Sequence, residues 1–181
     1  LQTSKNVTLM GDKSVGVYIN DTLGSMNYTN TGTITIGNAL LQSNPSVGIY
    51  SNAQSMTEQG NITVGDNAIG LYSSKIGSTV KLNTSGMISV GENGTGIYKL
   101  GGTLQIDGTL KALGNNSVGA YVEGGMVTNN STSLVIGSSA YGIVGTAGTG
   151  ITNNSSNVTI GDNSVFIYSS DTAGTITNNA N

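Results

Sequence analysis

The chain has 181 residues and a net charge of −3, with 28 glycines, one proline and no cysteine, histidine or tryptophan. Without histidine and cysteine, the common zinc sites, thiol or imidazole catalysis and disulfide bonds are excluded. Only 8 % of the residues are charged and the positive ones are all lysine, so a basic surface for nucleic acid is excluded as well. No cofactor is expected.

A short motif recurs along the chain and predicts its elements. It runs apolar-Thr-apolar, then Gly, a polar pair and a small residue, and ends in apolar-Gly-apolar-Tyr. The clearest copy extends from Ile62 to Tyr72. In chain order, the seven copies end at Tyr18, Tyr50, Tyr72, Tyr98, Tyr121, Val144 and Tyr168. Most steps between these ends are about 22 to 26 residues, a period typical of solenoid repeats.

Each copy predicts two short strands, and a weaker third strand lies between copies. In the first strand Ile62 and Val64 share one face and Thr63 lies on the other. The second strand is predicted to turn the following pairs inward and its Gly and Tyr outward: Val15/Val17, Val47/Ile49, Ile69/Leu71, Val118/Ala120 and Val165/Ile167. The third is indicated by Val80/Leu82, Leu104/Ile106, Val127, Ile151 and Ile176. Gly, Asn, Asp and Ser between the strands predict three corners per repeat.

One repeat of about 23 residues cannot bury its apolar face alone, whereas stacked repeats pair each strand with its counterpart about 4.8 Å away. The sequence therefore predicts an all-β parallel β-helix, or β-solenoid, with three strands per coil and about seven coils. It forms a single segment over residues 1–181. The longest step contains an inserted loop from Leu40 to Pro45. Because the pattern is already present at Val7 and continues to Ile176, we expect flanking coils beyond this segment.

The repeated sequence motifs resemble those of a known protein family, and the resemblance covers nearly the whole chain. They are Val15-Gly16-Val17-Tyr18, Val47-Gly48-Ile49-Tyr50 and Thr95-Gly96-Ile97-Tyr98, with the turns Gly65-Asp66-Asn67 and Gly161-Asp162-Asn163-Ser164. Together with the Gly/Asn/Ser/Thr-rich, cysteine-free composition, they are similar to passenger domains of bacterial type V secreted autotransporters. They look most like repeats of the very large fusobacterial autotransporter adhesins.

The resemblance implies a right-handed helix, an outer-membrane β-barrel translocator outside this segment, and display on the surface of a Gram-negative bacterium or secretion from it. It also implies a surface-displayed stalk or adhesin that attaches to host cells or other bacteria. The expected partners are a host cell-surface protein or glycan, or a partner bacterium. Membrane contact would be made only through the translocator.

The candidate binding residues are the recurring tyrosines and the inserted loop. An outward column would offer aromatic faces to sugar rings or protein loops. The alternative, which we favour at this point, is a structural stack that closes the core at a corner. The residues concerned are Tyr18, Tyr50, Tyr72, Tyr98, Tyr121, Tyr168 and Pro45.

Other chemistries are weaker. The Asn and Asp residues of the turns are predicted to stack as structural ladders rather than to bind calcium. Many glycosidases require two carboxylates about 5 to 10 Å apart, and Asp66 with Glu92 is the pair expected on adjacent coils. A carbohydrate-active β-helix enzyme or a tailspike-like glycan-binding protein is the alternative function, although a non-enzyme is favoured. Thr-x-Thr pairs at Thr33/Thr35 and Thr175/Thr177 are too few to favour ice binding.

Overall fold

The structure, a computed structural model, describes residues 1–170 and 173–180, which form 22 strands in three parallel sheets. Sheet A contains β1 (Gln2–Thr3), β4 (Asn27–Asn30), β7 (Ser55–Glu58), β10 (Thr79–Leu82), β13 (Thr103–Ile106), β16 (Met126–Asn129), β19 (Gly150–Asn153) and β22 (Ile176–Asn178). Sheet B contains β2 (Val7–Leu9), β5 (Thr33–Ile36), β8 (Asn61–Val64), β11 (Met87–Val90), β14 (Thr109–Ala112), β17 (Ser133–Ile136) and β20 (Val158–Ile160). Sheet C contains β3 (Val15–Ile19), β6 (Val47–Ser51), β9 (Ile69–Ser73), β12 (Thr95–Leu100), β15 (Val118–Glu123), β18 (Tyr141–Thr146) and β21 (Val165–Ser169).

Each coil contributes one strand to each sheet, and every strand pairs in parallel with its counterpart in the next coil. In sheet B, for example, Ile62 lies between Ile34 and Ile88. The predicted three-strand parallel β-solenoid of about seven coils is therefore confirmed. Its handedness stays a prediction.

Sheet B follows the predicted alternation. Its apolar residues fill the interior, where Ile62 and Ile88 are at most 1 % exposed, while Thr35 and Thr63 face solvent. Fully burying one such side chain stabilises the fold by about 1.5 to 3 kcal/mol. Burial falls at the last coils, since Ile160 and Ile176 are both 52 % exposed.

Sheet C departs from the predicted alternation at its glycines. Gly48 points inward, because a Cβ there would lie 2.7 Å from Cδ1 of the core residue Ile36. The next residue, Ile49, is also fully buried, so two consecutive positions face the core. The assignment of the first residue of each pair to the inner face was therefore wrong: Val15, Val47, Ile69, Val118 and Val165 are partly or fully exposed. Hydrophobicity alone does not reveal this because the glycine, which carries no side chain, occupies the inner position.

Asparagines stabilise the corner between sheets B and C. Asn67, Asn93, Asn116 and Asn163 all adopt left-handed backbone conformations with φ of 52 to 57°, which asparagine tolerates better than most residues. Neighbouring coils are linked there, since the Asp66 carboxylate accepts the Glu92 backbone N–H at 2.8 Å. The predicted structural ladder of turn residues is confirmed.

A further ladder lies inside the solenoid, at the last inward-facing position of the sheet A strands. We call it the inner column; in coil order it contains Asn30, Glu58, Leu82, Ile106, Asn129, Asn153 and Asn178. Asn129 donates from Nδ2 to Asn153 Oδ1 at 2.7 Å, and Asn153 donates in the same way to Asn178. The amide oxygen of Asn129 also accepts the N–H of Ser131. The column thus satisfies corner backbone groups that would otherwise be buried without partners.

Glu58 is the charged member of the inner column. It is completely buried, and its carboxylate accepts hydrogen bonds from Asn30 Nδ2 at 2.9 and 3.0 Å and from the N–H of Gly60 at 2.8 Å. Burial raises the pKa of Glu58 to about 7, and these two donors only partly oppose the shift. Its neighbour in the next coil is Leu82, so the polar run ends against an apolar residue.

Lys99 is buried at the corner between sheets C and A. Its ammonium group donates to the backbone oxygens of Lys75 at 3.1 Å and Leu100 at 3.0 Å, and to Ser78 Oγ at 2.9 Å. Burial lowers the pKa of Lys99 to about 8. All three acceptors lie at the corner between sheets C and A, so Lys99 stabilises this corner from the inside.

Candidate functional site

The recurring tyrosines lie on the outer surface of sheet C, in register from coil to coil. Because Gly and the following apolar residue both face inward, the tyrosine that comes next faces outward, and the residue after it, such as Ser73, returns to the interior. We call this line the outer column; it contains Tyr18, Tyr50, Tyr72, Tyr98, Tyr121, Val144 and Tyr168. The favoured expectation of a structural stack is correct for the stacking and the partial burial by neighbouring rings, but wrong in that the tyrosines face outward and do not close the core.

Five tyrosines of the outer column form one continuous stack. Successive ring centroids are separated by 5.2, 5.2, 5.1 and 4.8 Å from Tyr18 to Tyr121, with interplanar angles of 12 to 28°. Each stacked pair contributes about 0.5 to 1.5 kcal/mol beyond simple burial. Tyr18, at the end of the stack, is 65 % exposed, whereas Tyr50, Tyr72 and Tyr98 are partly covered by their neighbours.

Two phenol groups of the stack have raised pKa values. Partial burial, followed by the nearby Tyr121 and Glu123, raises the pKa of Tyr98 to about 12. Burial also raises the pKa of Tyr72. The Tyr98 hydroxyl donates to the Glu123 carboxylate at 3.4 Å. The Tyr72 and Tyr98 hydroxyls are therefore neutral at physiological pH.

The first residues of the sheet C strands, among them Ile69 and Val118, which were expected to be internal, complete this surface. Ile69, Thr95, Val118 and Tyr141 form a parallel line beside the tyrosines. Tyr141 was not a sequence candidate, because it stands at the first position of its strand rather than at the last position of the motif. Only its register with Val118 in the neighbouring coil identifies Tyr141 as part of this surface.

The stack is interrupted at Val144, which stands between Tyr121 and Tyr168 in register. A groove of about 380 Å³ opens there, lined by Val118, Tyr121, Tyr141, Val144 and Tyr168. Val144 itself is only 7 % exposed. Tyr168 therefore lies on the same face but beyond the continuous stack.

The inserted loop from Leu40 to Pro45 also contacts the outer face of sheet C. It brings Pro45 and Gln42 to a groove of about 180 Å³ that Tyr98 and Ile69 also line. Gln42 donates from Nε2 to the backbone oxygen of Asn93 at 3.4 Å, which ties the loop to a coil two repeats later. Two separate sequence candidates, Pro45 and Tyr98, are thus brought together.

The proposed carboxylate pair lies on adjacent coils, as expected, but Asp66 is engaged with the backbone of Glu92. Within residues 1–170 and 173–180, no group of three or more acidic residues is placed to hold a metal ion. In the same ranges no helix is long and apolar enough to cross a bilayer.

No known relative emerges. No protein-family model matches the chain, and no significant match is found among curated proteins or solved structures. The candidate site is therefore defined by geometry: a stacked aromatic column, one interruption and one loop groove, all on one face.

Proposed function

We propose that the chain is a segment of a surface-displayed β-helical stalk or adhesin that attaches a Gram-negative bacterium to host cells or to other bacteria. The observation that carries the proposal is the outer column: a solenoid in unbroken register presents one aromatic face along most of its length. The resemblance of its repeat words to autotransporter adhesins supports the same function.

The mechanism of attachment follows from shape and rigidity. Each coil is held to the next by three sets of backbone hydrogen bonds, and internal side-chain hydrogen bonds add to them where the inner column is polar. Stiff stacking keeps the aromatic rings in fixed positions, so little conformational entropy is lost when a partner binds. Aromatic side chains are the groups that contribute most often to binding hot spots.

The proposal is tested by coating beads with the protein and measuring adherence to cultured epithelial cells and to bacterial lawns. The double variant Tyr72→Ser/Tyr98→Ser removes the centre of the outer column and is expected to reduce adherence severalfold. The matched control is Thr35→Ala/Thr63→Ala, which alters the exposed face of sheet B. Equal adherence by both variants would contradict the proposed binding face.

A second readout separates the proposal from its alternative. The protein is incubated with mucin and with capsule polysaccharide, and reducing ends are measured over time. We expect no release of sugar. Steady release would instead support the carbohydrate-active alternative and contradict a purely adhesive role.

A further inference from the structure

The five stacked tyrosines of the outer column form a continuous series of electron-rich rings. Successive ring centroids from Tyr18 to Tyr121 are 4.8 to 5.2 Å apart, and the planes of neighbouring rings differ by only 12 to 28°. Nearly parallel rings at this separation place their π systems against one another. An electron can therefore pass from ring to ring in short steps, whereas transfer through solvent or backbone has to cross several coils at once.

The composition and the exposure of the stack favour tyrosine as the electron donor. The chain contains no tryptophan and no cysteine, so the phenol ring is the side chain from which an oxidant most readily takes a single electron. Tyr18 is 65 % exposed, while the next three rings of the stack are partly covered by their neighbours. A one-electron oxidant therefore has its easiest access at Tyr18.

Tyr98 differs from the other rings of the stack because it has a proton acceptor. Its hydroxyl donates to the Glu123 carboxylate at 3.4 Å, and no other tyrosine of the described outer column donates to a carboxylate. Removal of an electron makes a phenol strongly acidic, so the oxidised ring is stabilised where a positioned base takes the proton. Partial burial raises the pKa of Tyr98 to about 12, which keeps that proton in place until the electron leaves.

We propose that the outer column conducts an oxidising equivalent along the solenoid and holds it on Tyr98, with Glu123 as the proton acceptor. A strong one-electron oxidant, such as a radical or a high-valent metal complex, takes one electron from Tyr18. Electrons from the rings beyond it fill the vacancy stepwise until Tyr98 is oxidised. The O–H bond of Tyr98 breaks, and its proton forms an O–H bond with the Glu123 carboxylate. The products are a neutral tyrosyl radical, a carboxylic acid and the oxidant reduced by one electron.

The reverse step restores the starting state. A one-electron reductant such as ascorbate returns the electron, and Glu123 returns the proton to the phenol oxygen of Tyr98. This activity goes beyond the attachment proposed above and does not depend on it, because it requires only the stack and one carboxylate.

The experiment places a photo-oxidant at one end of the stack. Val15 is 46 % exposed and begins the strand that carries Tyr18, and Val15→Cys gives the chain a single cysteine for a ruthenium(II) tris-bipyridine label. A light pulse with a soluble electron acceptor generates ruthenium(III) there, three coils or about 14 Å from the strand of Tyr98. We expect a long-lived tyrosyl radical in electron paramagnetic resonance and transient absorption spectra.

Two variants of the labelled protein test the path. Tyr72→Leu breaks the stack between Tyr50 and Tyr98, and the radical yield should fall severalfold. The matched control is Tyr141→Phe, which alters a tyrosine on the same face but outside the stack and should leave the yield unchanged. If Tyr72→Leu fails to fold, Tyr72→Phe keeps a packed ring that is harder to oxidise, and should lower the yield instead.

Two further variants test the endpoint. Tyr98→Phe removes the phenol that holds the radical, and Glu123→Gln keeps the length of the side chain but removes the base. Both should shorten the lifetime of the radical severalfold. Glu123→Gln should also reduce the slowing of radical formation in D₂O, because proton transfer no longer accompanies electron transfer. A merely structural role of Glu123 would not change this isotope effect.

The outcomes decide the inference separately from the proposed function. A radical yield that is unchanged when residue 72 is replaced would show that the oxidising equivalent does not travel through the stack. A lifetime that is unchanged in Tyr98→Phe and Glu123→Gln would show that it is not held on Tyr98. Either result would overturn the inference. Cell adherence is measured without light or oxidant, so its presence or loss bears only on the proposed function.

Discussion

Two columns run along the solenoid on opposite sides of its wall. The inner column is built on sheet A, and the amides of Asn30, Asn129 and Asn153 and the carboxylate of Glu58 are shielded from water. The outer column is built on sheet C, and its rings keep contact with solvent. Both use the same coil-to-coil register, so each residue meets its counterpart in the next repeat.

The difference lies in what happens when one member is lost. Removal of an inner amide leaves polar groups without partners where water does not reach, and the full desolvation penalty then applies. Removal of an outer ring loses only stacking and partial burial, since water replaces it. Loss of an inner amide is therefore expected to cost more stability than loss of an outer ring, and the coil with Val144 keeps its register without a tyrosine.

The largest effect is expected for Asn129→Ala. It removes the donor to Asn153 and the acceptor of the Ser131 N–H, both in the buried interior. The free energy of unfolding should fall by about 3 to 4 kcal/mol, because the Ser131 N–H loses its acceptor, the Asn153 amide oxygen keeps only the Ser155 N–H, and the shorter side chain leaves a cavity. Urea denaturation at neutral pH measures the loss. Thr128→Ala, on the outward side of the same strand, is the control, and an equal loss for it would refute the contrast between the two sides of the wall.

The second effect is a dependence of stability on pH. Because the pKa of Glu58 is raised from 4.5 in the unfolded chain to about 7 in the fold, its contribution to stability is complete below pH 4.5 and is lost as the pH rises through about 7. The loss should be about 3 kcal/mol at pH 8. Glu58→Gln should flatten this part of the curve and be the more stable protein at pH 8. Parallel curves for the two proteins would show that Glu58 does not titrate in the fold.

A smaller effect is expected in the middle of the outer column. Tyr72→Ala removes two stacked contacts, with Tyr50 and Tyr98. It should lower the free energy of unfolding by about 1 to 2 kcal/mol, while Tyr72→Phe keeps the ring and should change it little. Thermal unfolding of both variants gives the comparison. A loss as large as that of Asn129→Ala would mean that the outer column is as structural as the inner one.

The smallest effect is expected at the end of the stack. Tyr18 has one stacked partner, Tyr50, and is 65 % exposed. Tyr18→Ala should therefore destabilise the protein by about 0.5 kcal/mol, less than half the effect at Tyr72. The same thermal unfolding measurements compare the two variants. A larger loss of stability for Tyr18→Ala than for Tyr72→Ala would contradict the prediction.

The sequence predicts the repeat, the three-stranded coil and sheet B, because Ile and Val alternate there with outward threonines. It does not predict β4 or β7, whose inward residues include Asn30 and Glu58. Polar residues at interior positions carry no apolar alternation, and their partners lie a full coil away. They become recognisable as strands only through the register of the stacked coils.

The candidate site was predicted in part for a related reason. The tyrosine positions were evident from the motif, but their outward direction depends on the inward glycine, which carries no hydrophobic signal. The interruption at Val144 was visible only as a missing tyrosine. Tyr141, which lines the groove there, is in register with Val118, a residue that the alternation had assigned to the core.

The hydrogen bonds of the inner column all point the same way along the rod. Asn30 donates to Glu58, Asn129 to Asn153, and Asn153 to Asn178, in each case from an earlier coil to a later one. In a solenoid that grows by duplication of coils, each inner amide must therefore be followed by an acceptor in the next coil. Otherwise the run of polar residues ends, as it does where Glu58 meets Leu82. The hydrogen-bond ladder of the inner column is thus directional, which restricts the order in which repeats of this kind can be joined.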